Sequence, residues 1–229
     1  MAIILSIETS TSLCSLAVHQ DGGLLALVEV NEPGIHAEKI VLLIEEAVEK
    51  SGKTFGDLDA VAVSEGPGSY TGLRIGVSTA KGFAFGLGIP LIGINTLQAL
   101  ASAVSLEFGE RVIPVIDARR MEVYCQIFDE RNKALSSIES KVLDENSFQD
   151  ELSQRTVVFV GDAVEKVKLV ISHSNAKFLD TPTFSAQNLG GLAYKKYQIQ
   201  QFEDLAYFVP NYLKEFKALH SKKNPLLSI

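Results

Sequence analysis

Tryptophan is absent, and the 229 residues hold only two cysteines, two methionines and four histidines. Each scarcity removes a class of chemistry. Cys14 and Cys125 form no C-x-x-C pair and sit in alternating apolar segments, so they read as small core fillers, not as a disulfide or a metal site. His19, His36, His173 and His220 are dispersed. No H-x-x-x-H or H-E-x-x-H pair puts two imidazoles on one helical face, so neither a metal nor any other cofactor is expected. His36 opens a helix and is expected to lie partly exposed near a cleft or lobe surface.

Positive charge is also short: 21 Lys+Arg against 28 Asp+Glu leave a formal net charge of -7. Phosphate neutralisation dominates nucleic-acid affinity, so a chain this acidic is not expected to grip RNA by its own surface. The one basic cluster, "KEFKALHSKK" from Lys214 to Lys223, reads as an amphipathic or frayed surface tail. No uninterrupted apolar run reaches the roughly 18 to 20 residues of a membrane span. "MAIILSIETS" lacks the basic start and small-residue cleavage site of a signal peptide, so a cytoplasmic location without membrane contact is expected.

What is present suffices for a folded protein. Hydrophobic residues make up 46% of the chain, enough for a substantial core in one large domain or two small ones. "AIILSIE", "SLCSLAVHQ" and "LLALVEVN" read as three strands, the last two joined as a hairpin through "QDGG", Gln20 to Gly23. "HAEKIVLLIEEAVEKSG" places Ile40, Leu43, Ile44, Ala47 and Val48 at helical spacing and stops near Gly52. A strand "LDAVAVSEG", a helix "YTGLRIGVSTAKGFAFGLG", a strand "PLIGIN" and a helix "TLQALASAVSLEF" opening at Thr96 complete the first half.

The second half begins in the same way. A shift of 109 positions (117 − 8) lays "VIPVIDARRMEVYCQIFDE" on "IILSIETSTSLCSLAVHQD" and brings Asp117 onto Glu8. Cys14, Leu16 and Val18 then fall on Val123, Cys125 and Ile127. A strand around Leu135 to Val142, a short helix, a strand "TVVFVGD", a helix from Ala163, a strand "AKFLD" and a helix "SAQNLGGLAYKKYQ" follow. The expectation is an α/β protein of two related lobes, residues 1–108 and 109–229, each with a mixed sheet and helices.

Glycine crowds one stretch, "EGPGSYTGLRIGVSTAKG", Glu65 to Gly82, where a phosphate loop is the obvious candidate. A Walker loop needs G-x-x-x-x-G-K-[ST], but Gly68 to Gly72 has the wrong spacing and Leu73 stands where lysine belongs. G-x-G-x-x-G fails too, because Thr71 takes the third glycine position. Nor is "GPGSYTG" a G-x-S-x-G nucleophile elbow. Without a ligand, Pro67 and Gly68 read as a tight turn in which glycine accepts positive φ, and Ser69 or Thr71 as a helix cap. Gly72 and Gly76, then Gly82 and Gly86, clear one side of a helix at about 1 kcal/mol each against alanine. Close packing against another backbone, inside the lobe or on a partner, is the expected compensation.

The strand-end carboxylates Glu8 and Asp117 form a second candidate. Facing hairpin turns in a duplicated α/β fold can hold a metal-bound nucleotide in the cleft, with Thr9 and Ser10 beside Glu8. The second turn, "DARR", argues the other way, because Arg119 and Arg120 replace the small residues that let backbone amides approach phosphate.

"ILSIETSTSLCSLAV", "HAEKIVLLIEEAV", "GPGSYTGLRIGVSTAKGFAFGLGIPLIGINTLQALA", "VIDARRMEVY" and "PNYLK" together resemble the TsaB (YeaZ) family over nearly the whole chain. The resemblance implies the actin-like ATPase (ASKHA) fold, with a smaller, more variable second lobe. It implies a non-catalytic paralogue of TsaD in the synthesis of threonylcarbamoyladenosine on tRNA. Such a chain pairs with TsaD through first-lobe helices, self-associates through the same surface when alone, is joined by the ATPase TsaE, and meets tRNA only indirectly. The implied interface comprises His36, Leu42, Gly72, Gly76, Thr79, Gly82 and Phe83, beside a motif turn of Pro67, Gly68, Ser69, Tyr70, Thr71 and Arg74. TsaD carries an H-x-x-x-H metal pair; here the helix begins at His36 and has Ile40 where the second histidine would stand. The older label of M22 glycoprotease finds no protease constellation. The rival expectations are an actin-like ATPase or kinase using Glu8 and Asp117, and a plain homodimer with a small ligand in its cleft.

Overall fold

A computed structural model describes residues 1–32, 34–180 and 184–213. The basic run Lys214 to Lys223, with His220, lies outside them.

The first sheet grows from apolar alternation. β1 (Ile3–Glu8), β2 (Cys14–Gln20) and β3 (Gly23–Val30) form an antiparallel meander, and β4 (Ala60–Gly66) and β5 (Leu91–Asn95) add in parallel to give the order β3-β2-β1-β4-β5. Both faces of β1 are buried, which suits consecutive apolar residues at Ile3, Ile4 and Leu5. On one face lie α1 (Ile35–Lys50) and α2 (Tyr70–Leu87). Ile40, Leu43, Ile44, Ala47 and Val48 of α1, with Val77, Ala80 and Ala84 of α2, pack on Leu5, Ile7, Leu16 and Val63. Gly52 and Gly88, both at positive φ, close the two helices.

The second sheet contains β6 (Arg111–Asp117), β7 (Glu122–Cys125), the two-residue β8 (Phe128–Asp129), β9 (Glu139–Val142), β10 (Val157–Val160) and β11 (Ala176–Leu179). Its order is β11-β10-β6-β7-β9, with β8 beside β6. Leu152 of α4 (Gln149–Gln154) and Val164 and Val167 of α5 (Val164–Val170) cover Ile113, Val115 and Phe159. The lobes share a core: Leu97, Leu100 and Ala101 of α3 (Thr96–Ser102) pack with Val112, Ile116, Phe128 and Val160. α3 is shorter than its apolar pattern suggests; Val104 and Leu106 beyond it pack on this shared core as loop. "SAQNLGG" starts as a 3-10 turn, Ala186–Leu189, before α6 (Gly190–Gln198).

Two expectations need correction. The division at residue 108 separates the sheets but not the packing. Leu189 and Ala193 lie on Ile4, Ala60, Ala62, Ile92 and Ile94, so the other face of the first sheet is covered by the end of the chain. The register of the repeat also slips. Glu8 pairs with Ser15, whereas Asp117 pairs with Val123, one residue short of the position that a shift of 109 requires. Val123 and Cys125 keep their inward face, but Ile113 and Val115, set on Ile4 and Ser6 by that shift, face α4 and α5 as Ile3, Leu5 and Ile7 face α1 and α2. Since side chains alternate with a period of two, the tighter turn places Asp117 on the opposite side of its sheet from the one Glu8 takes in the first.

Candidate functional site

The β1–β2 turn is filled from within. Ser69 caps α2 by accepting from the Gly72 amide at 3.3 Å, and its own amide donates to the Ser10 carbonyl at 2.6 Å. Thr9 Oγ1 donates to the Gly72 carbonyl at 2.9 Å. A Cβ built on Gly68 would meet Ser10, one on Gly72 the Thr9 carbonyl oxygen, and one on Gly76 the Thr9 hydroxyl. Gly68, Gly72 and Gly76 therefore exist to seat the chain's own turn. The positive φ expected at Gly68 belongs to Gly66, at 110°, which precedes a cis peptide to Pro67.

Neither carboxylate is free. Glu8 is 1% exposed, accepting from the Ser10 amide at 2.6 Å and from the Ser64 hydroxyl at 3.0 Å. Burial pushes its carboxyl above the ordinary range, although these bonds pull it down. Asp117 is exposed but held by Lys166 Nζ at 2.8 Å. Partial burial would raise it; the bonds from Lys166 and the Arg119 amide outweigh that and hold it below its ordinary value. Asp162, which accepts from the Asp117 amide at 2.9 Å, is raised by burial. Lys166 and Asp162 lie far along the chain from Asp117, so nothing in the sequence marked them. Among the described residues no group of three or more His, Cys, Asp or Glu is placed to hold a metal ion. Burial pushes the Cys14 thiol up to about 11 and the Cys125 thiol up to about 12, consistent with inert fillers.

α1 and α2 also have an outward side. Leu42, 59% exposed, and Val41 stand on α1; Phe85, 80% exposed, stands on α2. Gly82 and Gly86 flank Phe85 with nothing within 4 Å of a built Cβ. Of the residues expected at an interface, Leu42 and Gly82 face outward, whereas Thr79 and Phe83 are half-buried, Phe83 stacking on Phe55 with ring centroids 5.5 Å apart. His36, Gly72 and Gly76 are corrections: they are buried, with His36 Nε2 3.2 Å from the Leu13 carbonyl. Thr71 is exposed, and Arg74 donates to the Tyr70 hydroxyl at 3.2 Å. Val41 and Phe85 were legible as apolar residues off the buried stripe of their helices but were not singled out.

A family model described as TsaD, tRNA N6-adenosine threonylcarbamoyltransferase, matches residues 34–223. The tRNA threonylcarbamoyladenosine biosynthesis protein TsaB of Buchnera aphidicola subsp. Schizaphis graminum is 32% identical over 171 residues, covering 72% of this chain and 81% of the relative. The chain belongs to the TsaB family, within reach of the TsaD model. The TsaB of Escherichia coli is 40% identical over 122 residues, which are 53% of this chain and 52% of that protein, so the chain spans about half the length of that relative. YeaZ from Pseudomonas aeruginosa superimposes with a TM-score of 0.81 at 26% identity, over 93% of this chain and all of that one. An activator of 2-hydroxyisocaproyl-CoA dehydratase from Clostridium difficile shares the fold alone, with a TM-score of 0.51 at 11% identity over 87% of this chain and 97% of that one. The architecture is thus the two-lobed actin-like (ASKHA) fold. No helix among the described residues is long and apolar enough to cross a membrane.

Proposed function

We propose that the chain is a non-catalytic scaffold subunit in the synthesis of threonylcarbamoyladenosine on tRNA. It pairs through α1 and α2 with a TsaD-like paralogue. With the ATPase TsaE it supports threonylcarbamoyl transfer to adenosine 37, working in the cytoplasm, self-associating through the same face when alone, and meeting tRNA only through its partners.

The observation that carries this reading is the bare helix surface around Gly82, Phe85 and Gly86 of α2, together with the exposed Leu42 of α1. Exposed glycines in a helix interior weaken it, and an incoming helix that needs close approach supplies the compensation. The internal bonds of Glu8 and Asp117 weigh against the ATPase or kinase alternative, because a metal-bound nucleotide needs carboxylate oxygens that are not already engaged.

The test is reconstitution of tRNA modification from purified components, with and without this chain. Modification should depend on the chain, survive Asp117→Ala, and be lost with Gly82→Leu together with co-elution of the TsaD-like partner. Full modification without the chain would overturn the reading.

A further inference from the structure

Beyond α6, residues 203–213 run back over the first lobe as a strap. The Glu203 amide donates to the Leu91 carbonyl at 2.9 Å, and the Asn211 amide to the Glu65 carbonyl at 2.7 Å. Phe208 is 9% exposed and belongs to the same core as α1 and α2. The strap is tied to α2 at two places. Lys81 Nζ donates to the Phe208 carbonyl at 3.0 Å and reaches the Ala206 carbonyl at 3.4 Å, and Tyr212 packs on Tyr70 with ring centroids 4.7 Å apart.

These ties share one side of the helix. Tyr70, Arg74, Ser78, Lys81 and Phe85 follow spacings of four, four, three and four, so they form one stripe along α2. α1 contacts α2, and the half-buried Thr79 and Phe83 lie on the side of the helix away from this stripe. α1 packs over β2 and β3, α2 over β4, and the strap bonds to Leu91 of β5, so α2 lies between α1 and the strap. With Phe208 turned inward, its neighbours Tyr207 and Val209 are left 83% and 67% exposed. Tyr207 takes part in the strap through its amide, which donates to Asp204 Oδ1 at 3.3 Å, while most of its surface stays open to solvent.

We infer that the strap is the third element of the partner-binding surface, extending the α1–α2 face with the apolar side chains of Tyr207 and Val209. The inference rests on the pairing reading above, and the occupant is that same partner. The α1–α2 face alone offers little apolar area. The outward row of α1 is largely Glu38, Lys39, Glu45, Glu46 and Glu49, and that of α2 includes Thr71, Ser78, Gly82 and Gly86. A specific pair buries roughly 800 Å² per partner around apolar and aromatic anchors. Leu42, Val41 and Phe85 need further anchors, and Tyr207 and Val209 flank the Phe208 carbonyl held by Lys81, one turn along α2 from Phe85. The acidic Glu203 and Asp204 beside them suit a protein better than a nucleic acid.

Affinity for the purified TsaD-like partner would be measured by calorimetry for the full chain, for Tyr207→Ser with Val209→Ser, for Lys81→Met, and for Phe85→Ser. Melting temperatures are recorded in parallel. The double variant should bind about tenfold or more weakly with an unchanged melting temperature, and Lys81→Met should weaken binding by releasing the strap from α2. Weakening by Phe85→Ser alone would overturn the strap inference while leaving the pairing reading standing. No weakening by any variant would overturn both. Should the double variant melt earlier, Val209→Glu, a change at one exposed side chain, decides by the same criteria.

Discussion

Thr9 occupies the space that a side chain at Gly76 would need: a Cβ built there meets the Thr9 hydroxyl, which is already committed to the Gly72 carbonyl. Two glycines in one helix spacing pattern therefore have separate roles, since Gly82 faces open space. Gly76→Ala should cost about 1–3 kcal/mol through overpacking against a fixed turn. Gly82→Ala should be neutral or stabilise by up to about 1 kcal/mol through helix propensity. Urea unfolding of both variants checks this, and equal effects would contradict the division.

Glu8 gives a pH dependence of known sign. Its folded carboxyl lies above the ordinary 4.5 because of burial, so its favourable contribution is complete below that value and is lost as pH rises through the folded one. Glu8→Gln keeps an oxygen for the Ser10 amide and the Ser64 hydroxyl while removing the buried charge. The variant should gain stability at about pH 8 relative to about pH 5, as read from denaturant midpoints. An unchanged pH profile would mean that the folded carboxyl titrates as it does in the unfolded chain.

His19 acts in the opposite direction. Burial lowers its pKa from 6.5 to about 4, and its ring stands against Gly190 with Nδ1 3.1 Å from Ser6 Oγ. The unfolded chain binds the proton first, so stability is retained above 6.5 and falls between 6.5 and about 4 by roughly 3 kcal/mol. His19→Gln should remove that part of the acid slope in urea unfolding across this range.

The first lobe should not stand alone. A fragment of residues 1–108 lacks Leu189 and Ala193 and would expose Ile4, Ala60, Ala62, Ile92 and Ile94. It should bind a hydrophobic dye strongly and aggregate, whereas a dispersed, cooperatively melting fragment would show that α6 is dispensable.

ATP with magnesium should give no heat with the isolated chain in calorimetry, because Lys166 already neutralises Asp117 and Glu8 is enclosed. One-to-one binding abolished by Asp117→Asn would instead revive the kinase alternative.

Local chemistry made much of this protein legible from its residues in order. The apolar runs of β1 and β4, the alternation of β2, the apolar stripe of α1, the Ser69 cap and the failure of every phosphate-loop spacing follow from neighbours one to four positions apart, and the order of the first lobe's elements was readable from them. Family motifs over nearly the whole chain carried the fold class. What the residues in order left open depends on contacts between distant segments. A single residue fewer in the β6–β7 turn changed which side of the sheet Asp117 takes, and a lysine 49 positions away decided that its charge is already balanced. The same holds for the glycines. Spacing alone shows that Gly72, Gly76, Gly82 and Gly86 bare a helix, but only the packed chain decides that Thr9 fills half of that space and leaves the rest open, because exclusion of one side chain by another is a property of three-dimensional proximity.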